Sequence, residues 1–410
     1  MIREATAFIR TWLSDRYPVG EAEEFIAGQA QKPLPAHVSY LHTFGSLALF
    51  LMANQIITGI LLMVYYRPTG NAAFESVKFI MTKAQLGWMI RGLHAWGANL
   101  MIATLVLHML RTFMMGSFKK PRELTWVLGC FIFFTVLGFG FTGYLLPWNQ
   151  LSYWATTVGT EVAGAIPWLG TFIKYLLRGG EAVGEETLSR FYVVHVVVLP
   201  WVLVGMVSLH IILMRVQGLA PMAPVGEGEH VPEGQGIPFY PDHVFKELVV
   251  FPLFFLFLLG IVILLPVELG DKANPFVTPE GIKPEWYFLS SYQLLKYFPK
   301  LLGIFVAGIP MILLLFWPFL DRGRERRPAR RPLAVLIGTA GLLLAVFFGV
   351  VGYMSERNVT WRGQPYHIDL YGIPRLLEPS GEKAAPAAAA PSAPEGGGEK
   401  PSPPKGAGGQ

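Results

Sequence analysis

Two apolar stretches, each carrying two histidines, constrain this chain more than anything else in it. The first runs from Arg91-Gly-Leu-His94 to Leu107-His108-Met-Leu-Arg111, and the second from Arg190-Phe-Tyr-Val-Val-His195 to Ser208-Leu-His210. Each is long enough to cross a bilayer, whose apolar core of about 30 Å takes roughly 20 helical residues. Ionisable side chains inside membrane-spanning helices are rare and costly, so four histidines in two such helices point to function.

The spacing narrows the chemistry. His94 and His108 are 14 positions apart, and His195 and His210 are 15 apart. That is about 21 and 23 Å along a helix axis, and both spacings return to within roughly 40–60° of the starting face. Two such helices lying side by side bring the histidines together as two pairs at two depths. Facing imidazoles can ligate a planar iron porphyrin from both sides. Zinc also favours imidazole, but its tetrahedral sites need their ligands at one depth. Local hydrogen bonding within a bundle explains any one of these histidines and leaves the matched long spacings unexplained.

With 52% hydrophobic and 15% charged residues in 410, the composition is that of an integral membrane protein. Seven candidate spans lie at about 44–65, 88–113, 126–146, 191–214, 247–267, 302–320 and 333–353. The fold class expected is all-α, with a four-helix bundle holding the cofactors and three C-terminal helices. The N-terminus shows no short apolar region followed by a cleavage site, so no signal peptide is expected. Cys130 is the single cysteine, which excludes a disulfide framework and a four-cysteine iron–sulfur cluster within the chain. Basic loops at 321–332 (Arg322, Arg324, Arg326, Arg327, Arg330, Arg331) and 114–125 (Lys119, Lys120, Arg122) belong on the cytoplasmic side. The N-terminus is then cytoplasmic, the C-terminus external, and His94 and His195 lie toward the outside. The net charge of +5 therefore reflects loop topology, and no nucleic-acid partner is expected.

Several residues gather around the histidine pairs. Gly45 and Gly59 in the first span are 14 apart, as are Gly129 and Gly143 in the third. Glycine permits close helix packing in general; the matched spacing suggests flat macrocycles pressed against the backbone at both depths. Arg91, Arg190 and Arg111 flank the pairs and can bind anionic propionates or snorkel to lipid headgroups. After the third span, Pro147 ends the helix, and the aromatic, apolar stretch that follows suggests short helices lying flat over a pocket. Residues 1–43 are amphipathic and fit either an interfacial helix or a soluble cap.

A proline- and glycine-rich linker at 218–246 divides the chain into four-span and three-span halves. It ends in Pro241-Asp-His-Val-Phe-Lys246-Glu247, which fits a charged helix start or proton donors to a reduced quinone. An external loop carries Pro284-Glu285-Trp286-Tyr287. Burial would raise the pKa of Glu285 and suit it to take a proton from a quinol hydroxyl; a surface acid is the competing reading. The tail at 378–410 is too poor in apolar residues to fold. Domain boundaries are therefore expected at 1–43, 44–217, 218–246, 247–355, 356–377 and 378–410.

The four histidines, the four glycines, Gly143-Tyr144-Leu-Leu-Pro-Trp and Pro284-Glu285-Trp286-Tyr287 together resemble the cytochrome b subunit of quinol-oxidising cytochrome bc complexes. The likeness covers about residues 35–320. It implies two non-covalent b-type haems held by His94/His195 and His108/His210, with Arg91, Arg190 and Arg111 at the propionates. It implies a quinol-oxidation site containing Tyr144, Pro284, Glu285, Trp286 and Tyr287. Arg215, Lys246 and Glu247 fall on the quinone-reduction side.

Seven spans, the 15-position histidine spacing and Thr187-Leu-Ser-Arg190-Phe-Tyr resemble the chloroplast-type cytochrome b6, whereas the fused halves resemble the mitochondrial branch. Thr43 stands where the chloroplast type attaches a further haem through cysteine, so no covalent third haem is implied. The resemblance further implies a Rieske iron–sulfur protein and a c-type cytochrome subunit as partners, a dimeric complex in a bacterial-type inner membrane, and a bifurcated reaction. In that reaction one electron of quinol goes to the Rieske protein and the other crosses the haems to quinone, building a proton gradient. Two other classes use paired intramembrane histidines: a dihaem anchor of a dehydrogenase, and a haem-free transporter with a histidine proton relay.

Overall fold

The computed structural model describes residues 2–229, 231 and 235–377. The tail at 378–410 and the middle of the linker lie outside the described residues.

All seven expected spans are helices. Along the chain, α1 (Ile2–Ser14) and α2 (Val19–Gln31) precede the first span, α3 (Phe44–Met63). A short α4 (Ala73–Thr82) leads to α5 (Gly87–Met114), and α6 (Glu123–Leu145) follows. The fourth span is one continuous helix, Glu185–Gln217, made of α9 (Glu185–Val193), a π-helical turn (Val194–Val198) and α10 (Leu199–Gln217). The C-terminal spans are α11 (Val244–Leu264), α13 (Lys300–Leu320) and α14 (Pro332–Met354). These helices are apolar all round and leave large side chains such as Leu256, Phe257, Leu343 and Phe347 exposed, as a lipid solvent requires. The chain is thus a multi-pass membrane protein.

Helices α3 and α5 approach most closely, and the sequence shows why. A Cβ on Gly97 would lie 2.3 Å from Gln55 Nε2 and 2.5 Å from Asn54 Nδ2, so glycine there lets the α3 amides lie against α5 in this arrangement. Asn54 then donates to the Leu93 carbonyl at 3.1 Å. Between the two histidine depths sits an apolar layer of Leu51, Ile102, Leu105, Val136, Leu203 and Leu258.

After Pro147, where short helices were expected, the chain forms α7 (Gln150–Gly164) and α8 (Gly170–Arg178). Asn149 caps α7 by accepting from the Ser152 N–H at 2.8 Å. The buried Arg178 ties α8 to α7 through Thr160 Oγ1 (2.7 Å), the Thr157 carbonyl (2.8 Å) and Glu161 (2.9 Å). A further helix, α12 (Trp286–Leu295), begins immediately after Glu285.

Loops on the basic face are held by buried ion pairs: Asp321 with Lys119 (2.6 Å) and Arg331 (2.5 Å), and Glu229 with Arg326 (2.6 Å) and Arg122 (3.0 Å). There β1 (Pro33–Leu34) pairs with β2 (Ile237–Pro238), antiparallel. On the opposite face, residues beyond α14 form an antiparallel sheet of β3 (Arg357–Trp361), β4 (Gln364–Ile368) and β5 (Pro374–Leu376), with Arg357 opposite Ile368 and Ile368 opposite Pro374.

Candidate functional site

His94 on α5 and His195 in the π-helical turn face each other with ring centroids 6.3 Å apart and planes inclined at 69°. Metal–imidazole bonds run about 2 Å, so two rings binding one ion from opposite sides have centroids on the order of 6 Å apart. The second nitrogens are already engaged. Thr58 Oγ1 lies 2.9 Å from His94 Nδ1, and Thr142 Oγ1 lies 3.2 Å from His195 Nδ1. Nε2 is thereby left free to ligate a metal, with an outer partner fixing each ring.

One depth lower, His108 and His210 lie close enough to interact electrostatically. His210 Nδ1 is buried without a hydrogen bond among the described residues, and the Thr125 backbone lies near the ring.

Each of the four spaced glycines backs one histidine. A Cβ would meet the imidazole Cε1 of His108 at 3.1 Å from Gly45, of His94 at 3.3 Å from Gly59, of His210 at 3.4 Å from Gly129, and of His195 at 2.5 Å from Gly143. The glycines therefore make room for the imidazole rings, beside the macrocycle contact that their spacing suggested. Among the described residues, no cluster of three or more His, Cys, Asp or Glu can hold a metal ion. The protein supplies opposed pairs, which suits an ion whose remaining donors come from a porphyrin. Half-buried imidazoles in the bundle interior and the orphaned Arg111 Nε beside them fit a bound haem.

The unequal histidine spacings have a structural cause. Pro200 has no N–H and its ring crowds the carbonyl four residues back, which disfavours a regular α turn. The chain instead makes a π turn, in which the Leu199 N–H bonds to the Val194 carbonyl. A π turn accommodates one extra residue, so a 15-residue spacing serves where α5 uses 14.

The flanking arginines are engaged by the protein. Arg91 donates to the Val267 (3.0 Å) and Glu268 (3.1 Å) carbonyls, and Arg190 to the Leu176 carbonyl (2.7 Å). Arg111 differs: it lies within electrostatic range of His37, His42 and His108.

Beneath α7, a cavity of about 410 Å³ opens between α6, α7 and α12. Leu137, Phe141, Val158 and Phe288 form apolar walls, and Tyr144, Glu285 and Tyr287 bring polar groups. Burial pushes the Glu285 carboxyl above the ordinary carboxylate range, and its side chain has no hydrogen-bond or ion-pair partner among the described residues. Burial, with Glu285 and Tyr144 nearby, raises the Tyr287 phenol. Pro284 also lines this cavity. Trp286 does not: its indole N–H donates to Asn99 Oδ1 on α5 at 2.6 Å. Successive helical residues point in different directions, so Trp286 anchors α12 while its neighbours face the cavity.

On the basic face, Glu247 Oε1 lies 3.3 Å from His243 Nε2. Arg215 stacks on Phe239 at 4.2 Å, and Lys246 lies 5.9 Å from the Tyr40 ring centroid. His37 and His42 stack edge to face at 5.4 Å. His243 stands in the Pro241–Glu247 stretch that the sequence marked, whereas His37 and His42, which precede α3 and carry no periodic signal, were not singled out. Sequence reasoning also missed Thr58 and Thr142, although each immediately precedes one of the spaced glycines as Thr-Gly.

Comparison with known proteins bears on both halves. A family model described as Cytochrome b/b6/petB matches residues 29–218, and one described as Cytochrome b(C-terminal)/b6/petD matches residues 272–366. A cytochrome bc complex cytochrome b subunit from Chlorobaculum thiosulfatiphilum is 41% identical over 80% of this chain and 76% of its own length. Cytochrome b6 from Heliobacterium mobile is 48% identical over 51% of this chain and 98% of its own. Among solved structures, a chain of a hyperthermophilic respiratory Complex III superposes with a TM-score of 0.77 at 30% identity, covering 85% of this chain and 92% of that one.

Proposed function

The chain belongs to the cytochrome b/b6 family, and on that premise we propose that it is the two-haem, quinol-oxidising core of its complex. It is a haem-binding cytochrome b of a bc-type complex, an electron-transport oxidoreductase subunit. The finer reading is carried by one observation: two opposed histidine pairs at two depths, with an apolar cavity containing an unpaired carboxyl close to one of them.

His94 and His195 hold one b-type haem, and His108 and His210 hold a second. When bound, haem supplies reversible one-electron chemistry. The protein's own part is ligation, position and proton handling. Thr58 and Thr142 orient the upper imidazoles, and Arg111 offers its free Nε to an anionic group at the lower depth. Arg91 and Arg190 answer the external propionates by exchanging a carbonyl partner.

The Glu285 cavity takes the quinol ring. Its apolar walls exclude water, and the carboxylate of Glu285 accepts a hydroxyl proton, with the Tyr144 and Tyr287 hydroxyls within the same cavity. One electron leaves to a separate Rieske iron–sulfur protein and on to a c-type cytochrome; the other enters at the His94–His195 depth. At the basic face, His243, Lys246, Glu247 and Arg215 bind quinone and supply its protons. The excess of Lys and Arg in its loops supports a cytoplasmic location for that face and for the N-terminus. Protons are then released outside and taken up inside, building a gradient. The domain division follows the same lines, with the haem bundle at 44–217 and the three-helix unit at 247–355, and the complex acts as a dimer.

A dihaem anchor of a dehydrogenase would need the histidine layers but not the Glu285 cavity. Steady-state quinol oxidation by the purified complex, compared with its Glu285→Gln variant, tests the reading. Slow turnover with two intact haem spectra supports it. Loss of a haem, or unchanged turnover, would remove Glu285 from the role.

A further inference from the structure

A second cavity, of about 480 Å³, lies on the basic face where α13 and α14 leave the membrane. Although consecutive in sequence, these helices diverge: α13 packs on α6 and α12, while α14 packs on α12 and α5. A Cβ on Gly338 would lie 2.3 Å from the Phe113 ring, so glycine there seats α14 on α5 and leaves a furrow on the α13 side. The furrow faces the bilayer through exposed Leu320, Leu333 and Ile337.

Its mouth is cationic. Lys119, Arg330 and Arg331 line it, together with Asp321 and Glu325. Asp321 is already bound by Lys119 and Arg331, and Glu325 by Arg327 at 2.6 Å. Arg330, its side chain 65% exposed, is only loosely paired with Glu325 at 3.8 Å. The loop from Asp321 to Arg331 holds six arginines against two acids, so positive charge remains unneutralised at the opening.

Two further donors have no acceptor. Arg331 is 6% exposed, yet its Nε makes no hydrogen bond among the described residues. The Trp317 indole N–H, also in the lining, is buried and equally without a partner. A buried donor left unsatisfied is costly, and here two lie in one furrow with a cationic rim.

We propose that this furrow binds one anionic phospholipid, its phosphate held by Arg330 and Arg331 and its acyl chains lying along Leu320, Leu333 and Ile337. A soluble anion would use the rim but not the apolar wall, and a zwitterionic lipid would use the wall but meet surplus positive charge. Basic pockets between transmembrane helices recognise acidic headgroups on these grounds. The lipid would fill the wedge that the diverging helices leave open.

The test is native mass spectrometry of the whole purified complex after incubation with phosphatidylglycerol, phosphatidylcholine or inorganic phosphate. Two variants are compared with the wild type: Arg330→Glu, which reverses charge at the rim, and Ile337→Trp, which fills the wall. Both positions are exposed, and the reduced haem spectrum reports whether the bundle has folded. The wild type should retain one more phosphatidylglycerol per cytochrome b chain than either variant, and phosphatidylcholine should not replace it. Equal retention in wild type and both variants, or equal retention of phosphatidylcholine, would overturn the proposal. So would displacement of the lipid by inorganic phosphate, which would mark a simple anion site.

Discussion

Replacing Gly143 by alanine should weaken retention of the upper haem while leaving the lower one unchanged. The new Cβ would lie 2.5 Å from His195 Cε1, against about 3.5–4.0 Å for a comfortable carbon contact. The imidazole and α6 must then separate by roughly 1 Å. Overpacking on this scale costs about 1–3 kcal/mol, while alanine returns up to about 1 kcal/mol of helix propensity. The net cost, up to about 2 kcal/mol, corresponds to a factor of up to roughly 30 in an equilibrium constant, falling on haem retention because α6 itself gains. Gly129→Ala is the matched control, since its Cβ meets His210 at 3.4 Å, an ordinary contact. Haem per polypeptide from pyridine haemochromes, with low-temperature difference spectra to separate the two components, reads the outcome. Equal haem retention in Gly143→Ala and the wild type with unchanged spectra, or greater loss in Gly129→Ala, would show that Gly143 does not make room for His195.

Three other outcomes follow from the same geometry. Glu285→Gln should lower quinol turnover by about 10²–10⁴-fold, the usual worth of a positioned general base, with both haem spectra unchanged. Because burial raises the Glu285 pKa and only the carboxylate accepts a proton, wild-type rates should rise with pH through a midpoint above the ordinary carboxylate value; the variant should lack that limb. Thr142→Val removes the hydroxyl 3.2 Å from His195 Nδ1 and should weaken retention of the upper haem by about 10–100-fold, as loss of such outer partners does elsewhere, measured by haem transfer to an acceptor protein. Arg326→Met removes a fully buried arginine from its pair with the partly exposed Glu229. It should cost about 3 kcal/mol, the low end for such pairs, because Glu229 keeps Arg122, and it should appear as a lowered thermal midpoint with little change in turnover.

The seven spans were legible because a bilayer forces long apolar helices, and composition alone carries that signal. The histidine pairs were legible because a two-depth site must repeat on a helical period. Legibility failed where contacts are set by distant segments. The ion pairs joining Lys119, Arg122, Glu229, Asp321, Arg326 and Arg331 link three loops, and no local pattern announces which charge meets which. Trp286 shows a second limit: membership of a dense motif did not reveal that its side chain turns to Asn99, away from the cavity its neighbours line. The π turn lay between these cases. The 15-residue spacing required an extra residue somewhere, and Pro200 marked where, but only the structure joined the two.

The central claim is that this one chain holds two haems at separate depths, each bound by one histidine pair. Its most direct test is a potentiometric redox titration of the purified complex beside its His195→Ala and His210→Ala variants. Two b-type components per chain are expected in the wild type and one in each variant, with a different component missing from each. A single component in the wild type, or the same component missing from both variants, would contradict it.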